Sequence, residues 1–421
     1  MRVLVYPHDL GIGGSQINAI ELAAAVKELG HEVVVFGYPG ELTDRVEELG
    51  LDFVASPKPH RRPSPRVLRA LADTVRDRDI QILHGYEWPP ALEGWLVARS
   101  LGRVSVGTVL SMAVADFLPR TAPLIVGTAQ IAASEQAKGR RLVDTIEPPV
   151  DLRENRPSVD VGVTDFRERW GIDEDATVLA MVSRLAHELK LEGILTAIDV
   201  VAKLAASERV QLLIVGDGPA RSEVESHAAT ANASVGRAVV ILTGSMADPR
   251  PAYATADIVL GMGSSALRAL AFGKPLVVQG EQGYWELLTP DSVDTFRWQG
   301  WYGVADGSIS GAERLRQSLD AIIGDPAERR RLGAFSLAEV EQHYALTDSA
   351  TKLEAIYQDA LDYPTPRGQQ VRDFARTGST YSRYFFGQYA ARFRGTVVRD
   401  DFNARPVAAD PRMARSHEDT R

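Results

Sequence analysis

Thr177-Val178-Leu179-Ala180-Met181-Val182 runs without a charged residue into Ser183-Arg184-Leu185, and an amphipathic stretch, Leu191–Ala206, follows. A short continuous apolar run of this kind, bounded by a loop and then a helix, reads as a parallel strand buried on both faces. The unit recurs downstream at Gln211–Val215, Ala238–Leu242, Ile258–Leu260 and Pro275–Val278, with the helical patterns Arg221–Ala231 and Ser264–Phe272 between. Upstream lies a second series: Arg2–Tyr6, Glu32–Phe36, Ile80–His84, Ser105–Val109 and Ile131–Ala133. It is separated by Gln16–Leu29, Pro65–Arg76 and Ala91–Leu101. Two such series in succession predict two doubly wound α/β domains, joined near the Pro- and charge-rich stretch 148–161.

The length agrees. A chain of 421 residues exceeds the roughly 250–300 residues at which a single core stops growing. Hydrophobic content of 45% and charged content of 24% mark a soluble globular protein and exclude a disordered or fibrous one. The formal charge of −9 argues against a nucleic-acid partner held through phosphates. There is no cysteine, which excludes a disulfide scaffold, Cys-ligated zinc and thiol catalysis. No signal peptide and no run long enough to span a membrane is visible, so the expected location is cytoplasmic. Arginine outnumbers lysine, as in GC-rich bacterial coding sequences. Oligomeric state is left open, a homodimer included.

From Gly311 to Leu361 the pattern is helical. Beyond Tyr363-Pro364-Thr365-Pro366 the chain turns rich in arginine and aromatics: Phe374, Tyr381, Tyr384, Phe385, Phe386, Tyr389, Phe393 and Phe402. Arginine interleaved with aromatics suits a single-stranded nucleic-acid surface. The reading preferred for so acidic a chain is an arm whose aromatics cover the globular body while its arginines stay wet. Residues 404–421 are expected to be a frayed terminus.

Four loops carry candidate chemistry. Gly11-Ile12-Gly13-Gly14-Ser15-Gln16 follows the first strand and opens a helix, so free N–H groups and a partial positive charge can meet an anion there. It is not the dinucleotide fingerprint, and no acidic residue closes the second strand; a plain tight turn fits equally well. Arg184, with Lys190 and Gly193 beyond it, lies at the carboxyl end of a parallel strand, where ligands bind in such sheets. One arginine and one lysine there can clamp a diphosphate. Gly216-Asp217-Gly218-Pro219 is by itself ordinary turn chemistry. Gly261-Met262-Gly263-Ser264-Ser265 leads into a helix expected to be capped by Ser264 or Ser265, another set of N–H groups able to hold a phosphate.

Taken in order, these residues resemble the GT-B glycosyltransferases, specifically the retaining enzymes of glycosyltransferase family 4. The resemblance rests on the Gly13-Gly14 loop, Ile82-Leu83-His84, Ile146-Glu147-Pro148-Pro149-Val150-Asp151 and Ser183-Arg184-Leu185 with Lys190 and Gly193. It continues through Val215-Gly216-Asp217-Gly218-Pro219, Ala256-Asp257-Ile258, Ala269-Leu270-Ala271-Phe272-Gly273-Lys274-Pro275-Leu276-Val277-Val278 and Glu286-Leu287-Leu288. Each motif is weak alone; their order and spacing, over roughly residues 1–361, are specific.

The resemblance implies two Rossmann-like domains facing across a cleft. These are an acceptor domain (1–150) and a nucleotide-sugar domain (151–345). A crossover helix (346–361) would return to the first domain, and the arm (362–421) is left uncovered. A nucleotide-diphospho-sugar serves as co-substrate, with no metal and no other cofactor expected. Arg184 and Lys190 would neutralise the donor diphosphate, with Gly13, Gly14, Gly216, Gly263, Ser264 and Ser265 as further donor contacts. His84 and Glu87, in His84-Gly85-Tyr86-Glu87-Trp88, are the acceptor-side candidates, Glu87 being better suited to act as a base; a lone His ending a strand is more often structural.

Two departures stand out. The family's two glutamates, eight positions apart, fall on Leu260 and Arg268 here. Arg268 would face a phosphate or an acidic donor group, or pair with Glu281 or Glu286, which would then take over ribose contacts. After Ser105–Val109, where the family often has a His, only Ser111 is available. The resulting expectation is a retaining transferase acting on a small-molecule or envelope-precursor acceptor in natural-product or glycoconjugate biosynthesis, a thiol or amine acceptor included. The alternative is a GT-B protein that binds a sugar nucleotide or a partner without turnover.

Overall fold

In the computed structural model, which describes residues 1–363, 365–394 and 407, the apolar runs are strands of two separate sheets. The chain divides into two compact units: Met1–Glu147 with the stretch from Leu346 onward, and Pro148–Ala345.

The first unit comprises β1 (Arg2–Tyr6), α1 (Gly14–Glu28), β2 (Glu32–Gly37), α2 (Thr43–Glu48), β3 (Asp52–Ala55), α3 (Pro65–Asp77), β4 (Ile82–Tyr86), α4 (Trp88–Leu101), β5 (Val104–Val109), β6 (Leu124–Val126), α5 (Ala129–Ala137) and β7 (Val143–Thr145). Its sheet has the order β3-β2-β1-β4-β5-β6-β7, parallel throughout. Successive residues of a strand point to opposite faces, which explains why the runs are apolar without alternation. Val3 and Val5 enter the core beneath α1, whereas Leu4 and Tyr6 meet Val67, Leu71 and Val75 of α3. Ile131–Ala133, read as a strand, lies inside α5 instead. The Thr128 hydroxyl caps that helix by accepting the Ile131 N–H at 3.0 Å, and this stabilises the helical choice. The strands there are β6 and β7, three residues each.

The second unit holds α6 (Val163–Trp170), β8 (Thr177–Val182), α7 (Leu191–Leu204), β9 (Val210–Val215), α8 (Arg221–Val235), β10 (Val240–Gly244), α9 (Arg250–Thr255), β11 (Ile258–Gly261), α10 (Ser264–Ala271), β12 (Leu276–Gln279), β13 (Trp285–Leu287), α11 (Val293–Gln299), α12 (Gly311–Asp320) and α13 (Pro326–His343). The order is β10-β9-β8-β11-β12-β13, with only β13 antiparallel to its neighbour. Val178 and Ala180 serve one core, Leu179 and Met181 the other. In both sheets the order reverses beside the first strand, between β1 and β4 and between β8 and β11. Open α/β sheets bind ligands outside the carboxyl ends of such strands.

α14 (Leu346–Asp362) and α15 (Arg367–Phe393) belong to the first unit. Leu346, Ala350, Leu353 and Tyr357 of α14 join the core beside α1. α15 lies along α4: Phe374 stacks on Trp95 at 6.0 Å, and Tyr381 and Tyr384 close around Phe117 and Trp88. Asp373 accepts the N–H groups of Arg120 and Thr121, both at 2.8 Å. The expectation of covered aromatics and wet arginines holds for Tyr381, Tyr384, Arg372 and Arg383 and is corrected at four residues. Arg376 turns inward onto the carbonyls of Asp116 and Leu118, while Phe385, Phe386 and Tyr389 stay exposed. Phe402 and, except for Val407, the frayed terminus expected over residues 404–421 lie outside the described residues.

Candidate active site

In the first unit, Glu87 ends the β4 turn with φ 65° and ψ 170°, a region that side chains other than glycine's occupy at a cost of about 1–3 kcal/mol. Its carboxylate accepts hydrogen bonds from the Ser15 hydroxyl (3.1 Å), the Leu110 N–H (3.0 Å) and the Ser111 hydroxyl (2.7 Å). Three loops, those after β1, β4 and β5, thus converge on one carboxylate. Burial raises the Glu87 carboxyl above its ordinary range, against the opposing pull of those hydrogen bonds. Gly13 caps α1 in extended conformation, and α1 carries no acidic residue of its own in the first turn; the carboxylates that reach that turn are those of Glu87, on Ser15, and Asp9, on Gln16. Nearby, Asp9 Oδ2 lies 2.8 Å from His8 Nδ1 and Asp9 Oδ1 accepts the Gly11 N–H. The His8 hydrogen bond, chiefly, holds the Asp9 carboxyl below the usual carboxylate range.

His84 does not join this site. The ring is 1% exposed, its Nδ1 lies 2.6 Å from the Tyr357 hydroxyl and its Nε2 2.7 Å from Thr108 Oγ1. Both nitrogens are occupied and burial pushes the imidazole down to about 3, so it stays neutral and ties α14 to the sheet. The acceptor-side assignment of His84 is corrected accordingly.

In the second unit, Arg184 is exposed on the loop after β8, and Lys190, partly buried, caps α7. Among the described residues no carboxylate pairs with either cation. Burial lowers the Lys190 ammonium to about 8. Close approach of backbones shapes this corner. Gly216 has φ 146°, and a Cβ there would fall 1.9 Å from the Ser183 carbonyl oxygen. A Cβ on Gly193 would fall 2.2 Å from Gln279 Nε2, the group that donates to the carbonyls of Leu189 and Lys190. Gln279 ends β12 almost fully buried and so holds the α7 N-terminus against the sheet.

Gly263, at φ 58°, caps α10 without a side-chain hydrogen bond, so neither Ser264 nor Ser265 is the cap; both lie in the first turn. Ser265 is spent on structure: its hydroxyl donates to the Val182 carbonyl at 2.6 Å and accepts from Tyr253, tying the loops after β8 and β11 together. Glu281 follows β12 and accepts the Tyr302 hydroxyl at 2.6 Å, and the adjacent Gln282 N–H donates to Glu192 in the first turn of α7. Glu281 therefore sits beside the Lys190 corner. Glu286 lies in β13 opposite Val278 and accepts the Tyr284 hydroxyl. Arg268 Nη1 reaches Asn155 Oδ1 at 3.5 Å. Leu260, the first of the two positions at which the resemblance implied a glutamate, is fully buried inside β11. No group of three or more His, Cys, Asp or Glu suited to a metal ion occurs among the described residues.

Comparison with known proteins gives the same partition. A family described as "Glycosyl transferase 4-like domain" matches residues 13–147, in the first unit, and "Glycosyl transferases group 1" matches residues 176–297, in the second. The chain is a glycosyltransferase. Its relatives include a 2-deoxystreptamine glucosyltransferase of Streptomyces kanamyceticus, 27% identical over 74% of this chain and 90% of the relative. Another is a GDP-mannose-dependent alpha-mannosyltransferase of Mycobacterium tuberculosis, 28% identical over 68% and 79%. In fold the transferase is similar to Anabaena HepE solved with UDP-glucose, with a TM-score of 0.66 at 15% identity over 85% of this chain and all of that one. A Rickettsia africae glycosyltransferase gives a TM-score of 0.68 at 15% identity over 86% and 98%. The GT-B architecture is thus established, and among the described residues no helix of the transferase is long and apolar enough to cross a membrane.

Several site groups of the transferase escaped sequence reasoning. Ser15 and Glu87 are 72 positions apart, and no local pattern joins them. Gln279 and the His8–Asp9 pair did leave a signal: polar residues at the carboxyl ends of otherwise apolar strands.

Proposed function

We propose that the second unit binds a nucleotide-diphospho-sugar and that the sugar passes, with retention, to an acceptor held by the first. The observation that carries this reading is the pair of cations Arg184 and Lys190, without carboxylate partners among the described residues, at the carboxyl end of β8. A cation kept unpaired and partly desolvated is costly unless a ligand supplies the anion. As the anomeric C–O bond breaks, negative charge grows on the β-phosphate. Cations already in place stabilise that charge more than they stabilise the ground state. Glu281, hydrogen-bonded to Tyr302 and beside the α7 N-terminus, is the carboxylate placed to take ribose hydroxyls. Arg268, in the last turn of α10, serves as a further cation.

On the acceptor side Glu87 is the proton acceptor. Burial raises that carboxyl, the direction that suits a general base, and an acceptor hydroxyl would replace one of the two serine hydroxyls now bound to it. The relatives' names, with a glucosylated 2-deoxystreptamine and an α-mannosyl product, support a small polyol or glycoconjugate acceptor and agree with retention. The test is a thermal-shift screen against UDP, GDP, ADP and dTDP and their sugars. One nucleoside diphosphate should stabilise the protein, and Arg184→Ala should abolish the shift. Stabilisation undiminished in Arg184→Ala would remove the proposed clamp.

A further inference from the structure

α15 lies outside both stretches matched by the glycosyltransferase families, and its surface does not suit a helix that merely packs. Its inner side is fully engaged through Asp373, Thr377, Tyr381 and Tyr384. Its outer side carries Phe386 at 68%, Tyr389 at 66% and Phe385 at 49% exposure, three large aromatics within five residues. Residues 367–394 contain six arginines, one aspartate and no lysine, a strongly positive segment in a chain of net charge −9. The aspartate, Asp373, is turned inward. Arg372, Arg383 and Arg394 are exposed, and among the described residues no carboxylate pairs with them.

From this we infer that α15 docks the enzyme on an anionic membrane surface, Phe385, Phe386 and Tyr389 entering the interface and Arg372, Arg383 and Arg394 meeting lipid phosphates. The charge selects the occupant. Aromatics at the headgroup level and guanidinium groups on phosphates are the two attractions an interfacial helix uses. A second copy joined through the same helix would set arginine against arginine across a twofold axis, a repulsive arrangement. A nucleic-acid strand needs a groove to follow, and this face is the convex side of a helix. Repulsion between the acidic body and the surface is screened within about 8 Å at physiological salt.

The docking also has a direction. Phe374 lies on Trp95 and near Arg99 toward the end of α4, whereas Tyr381 and Tyr384 lie at Trp88, its first residue. α15 thus runs antiparallel to α4, and its exposed aromatics come last, toward the end of the unit that carries Glu87. A membrane held there lies beside the acceptor-side carboxylate, so an acceptor embedded in the membrane is within its approach. The docking itself rests on the surface of α15 and not on the donor chemistry, so the two fail separately.

The test is flotation of the full chain with vesicles of phosphatidylcholine mixed equally with phosphatidylglycerol, and with phosphatidylcholine alone. The protein should float with the acidic vesicles, and high salt should release it. Substituting Arg372→Gln, Arg383→Gln and Arg394→Gln together should weaken binding about a hundredfold, at about fivefold per arginine. Phe385→Ser, Phe386→Ser and Tyr389→Ser together should weaken it at least about tenfold. Both sets are surface changes, and unaltered melting temperatures would show the fold retained. Equal binding to neutral vesicles, absence of flotation, or a dimer that dissolves on these substitutions without any vesicle binding would each overturn the proposal.

Discussion

Lys190 offers the sharpest quantitative test of the donor site. Burial lowers its ammonium to about 8, so the free enzyme loses the proton within an accessible range. About nine in ten side chains are protonated at pH 7 and about one in ten at pH 9. A bound diphosphate restores the missing counter-charge and raises that pKa, so binding takes up a proton and weakens as pH rises. If only the protonated form binds, apparent Kd scales inversely with the protonated fraction, a loss of about tenfold, or ~1.4 kcal/mol, from pH 7 to pH 9. The phosphate's own second ionisation, near pH 6, is largely complete above pH 7. Calorimetric titration with the best nucleoside diphosphate, in two buffers of different ionisation heat, should show about half a proton taken up at pH 8. Lys190→Arg, whose charge does not titrate here, should bind with a flat profile. A wild-type Kd unchanged between pH 7 and 9, or a tenfold fall retained in Lys190→Arg, would refute the reasoning.

Three further outcomes follow from particular contacts. Glu87→Gln, which keeps the shape of the side chain but removes its basicity, should lower turnover by about 10²–10⁴-fold while leaving nucleoside diphosphate affinity unchanged by calorimetry. His84→Leu strips partners from the buried Tyr357 and Thr108 hydroxyls and should destabilise the first unit by about 2–4 kcal/mol in urea titration. In the wild type His84 stays neutral when folded but protonates in the unfolded chain. Its contribution is thus complete above about pH 6.5 and falls by ~1.4 kcal/mol per pH unit toward about pH 3; the variant should lack that component of the acid slope. Glu93, fully buried, accepts the Tyr6 hydroxyl (2.9 Å), Arg62 Nη1 (2.5 Å) and the Ser64 N–H (2.7 Å). Glu93→Gln leaves Arg62, 11% exposed, without its counter-charge and should cost about 3–5 kcal/mol in the same assay.

Much of the fold was legible because burial on both faces writes itself into the sequence. β8, β9 and β11 are apolar at nearly every position, and each is followed by a turn and a helix. Legibility failed where elements are short or where a side chain decides. Three residues suffice for β6 and β7, too few for a period, while Ile131–Ala133 has an apolar strand-like composition that the Thr128 cap overrides. At the site, Arg184 and Lys190 could be read because a strand end and a helix start bracket them. The convergence of Ser15, Leu110 and Ser111 on Glu87 could not, since it depends on which strands are neighbours. His84 shows the opposite case, a residue type associated with chemistry whose tertiary partners occupy both nitrogens.

The central claim is that the second unit splits a nucleotide-diphospho-sugar at the anomeric bond with help from Arg184 and Lys190. Phosphorus NMR for the released diphosphate together with proton NMR for the anomeric centre of the product, on the purified enzyme with the donor selected by thermal shift and a polyol or glycoconjugate acceptor, tests it most directly. Release of the nucleoside diphosphate together with a product that keeps the donor's anomeric configuration is expected, with loss of both signals in Arg184→Ala. Release undiminished in Arg184→Ala, or a product of inverted configuration, would contradict it.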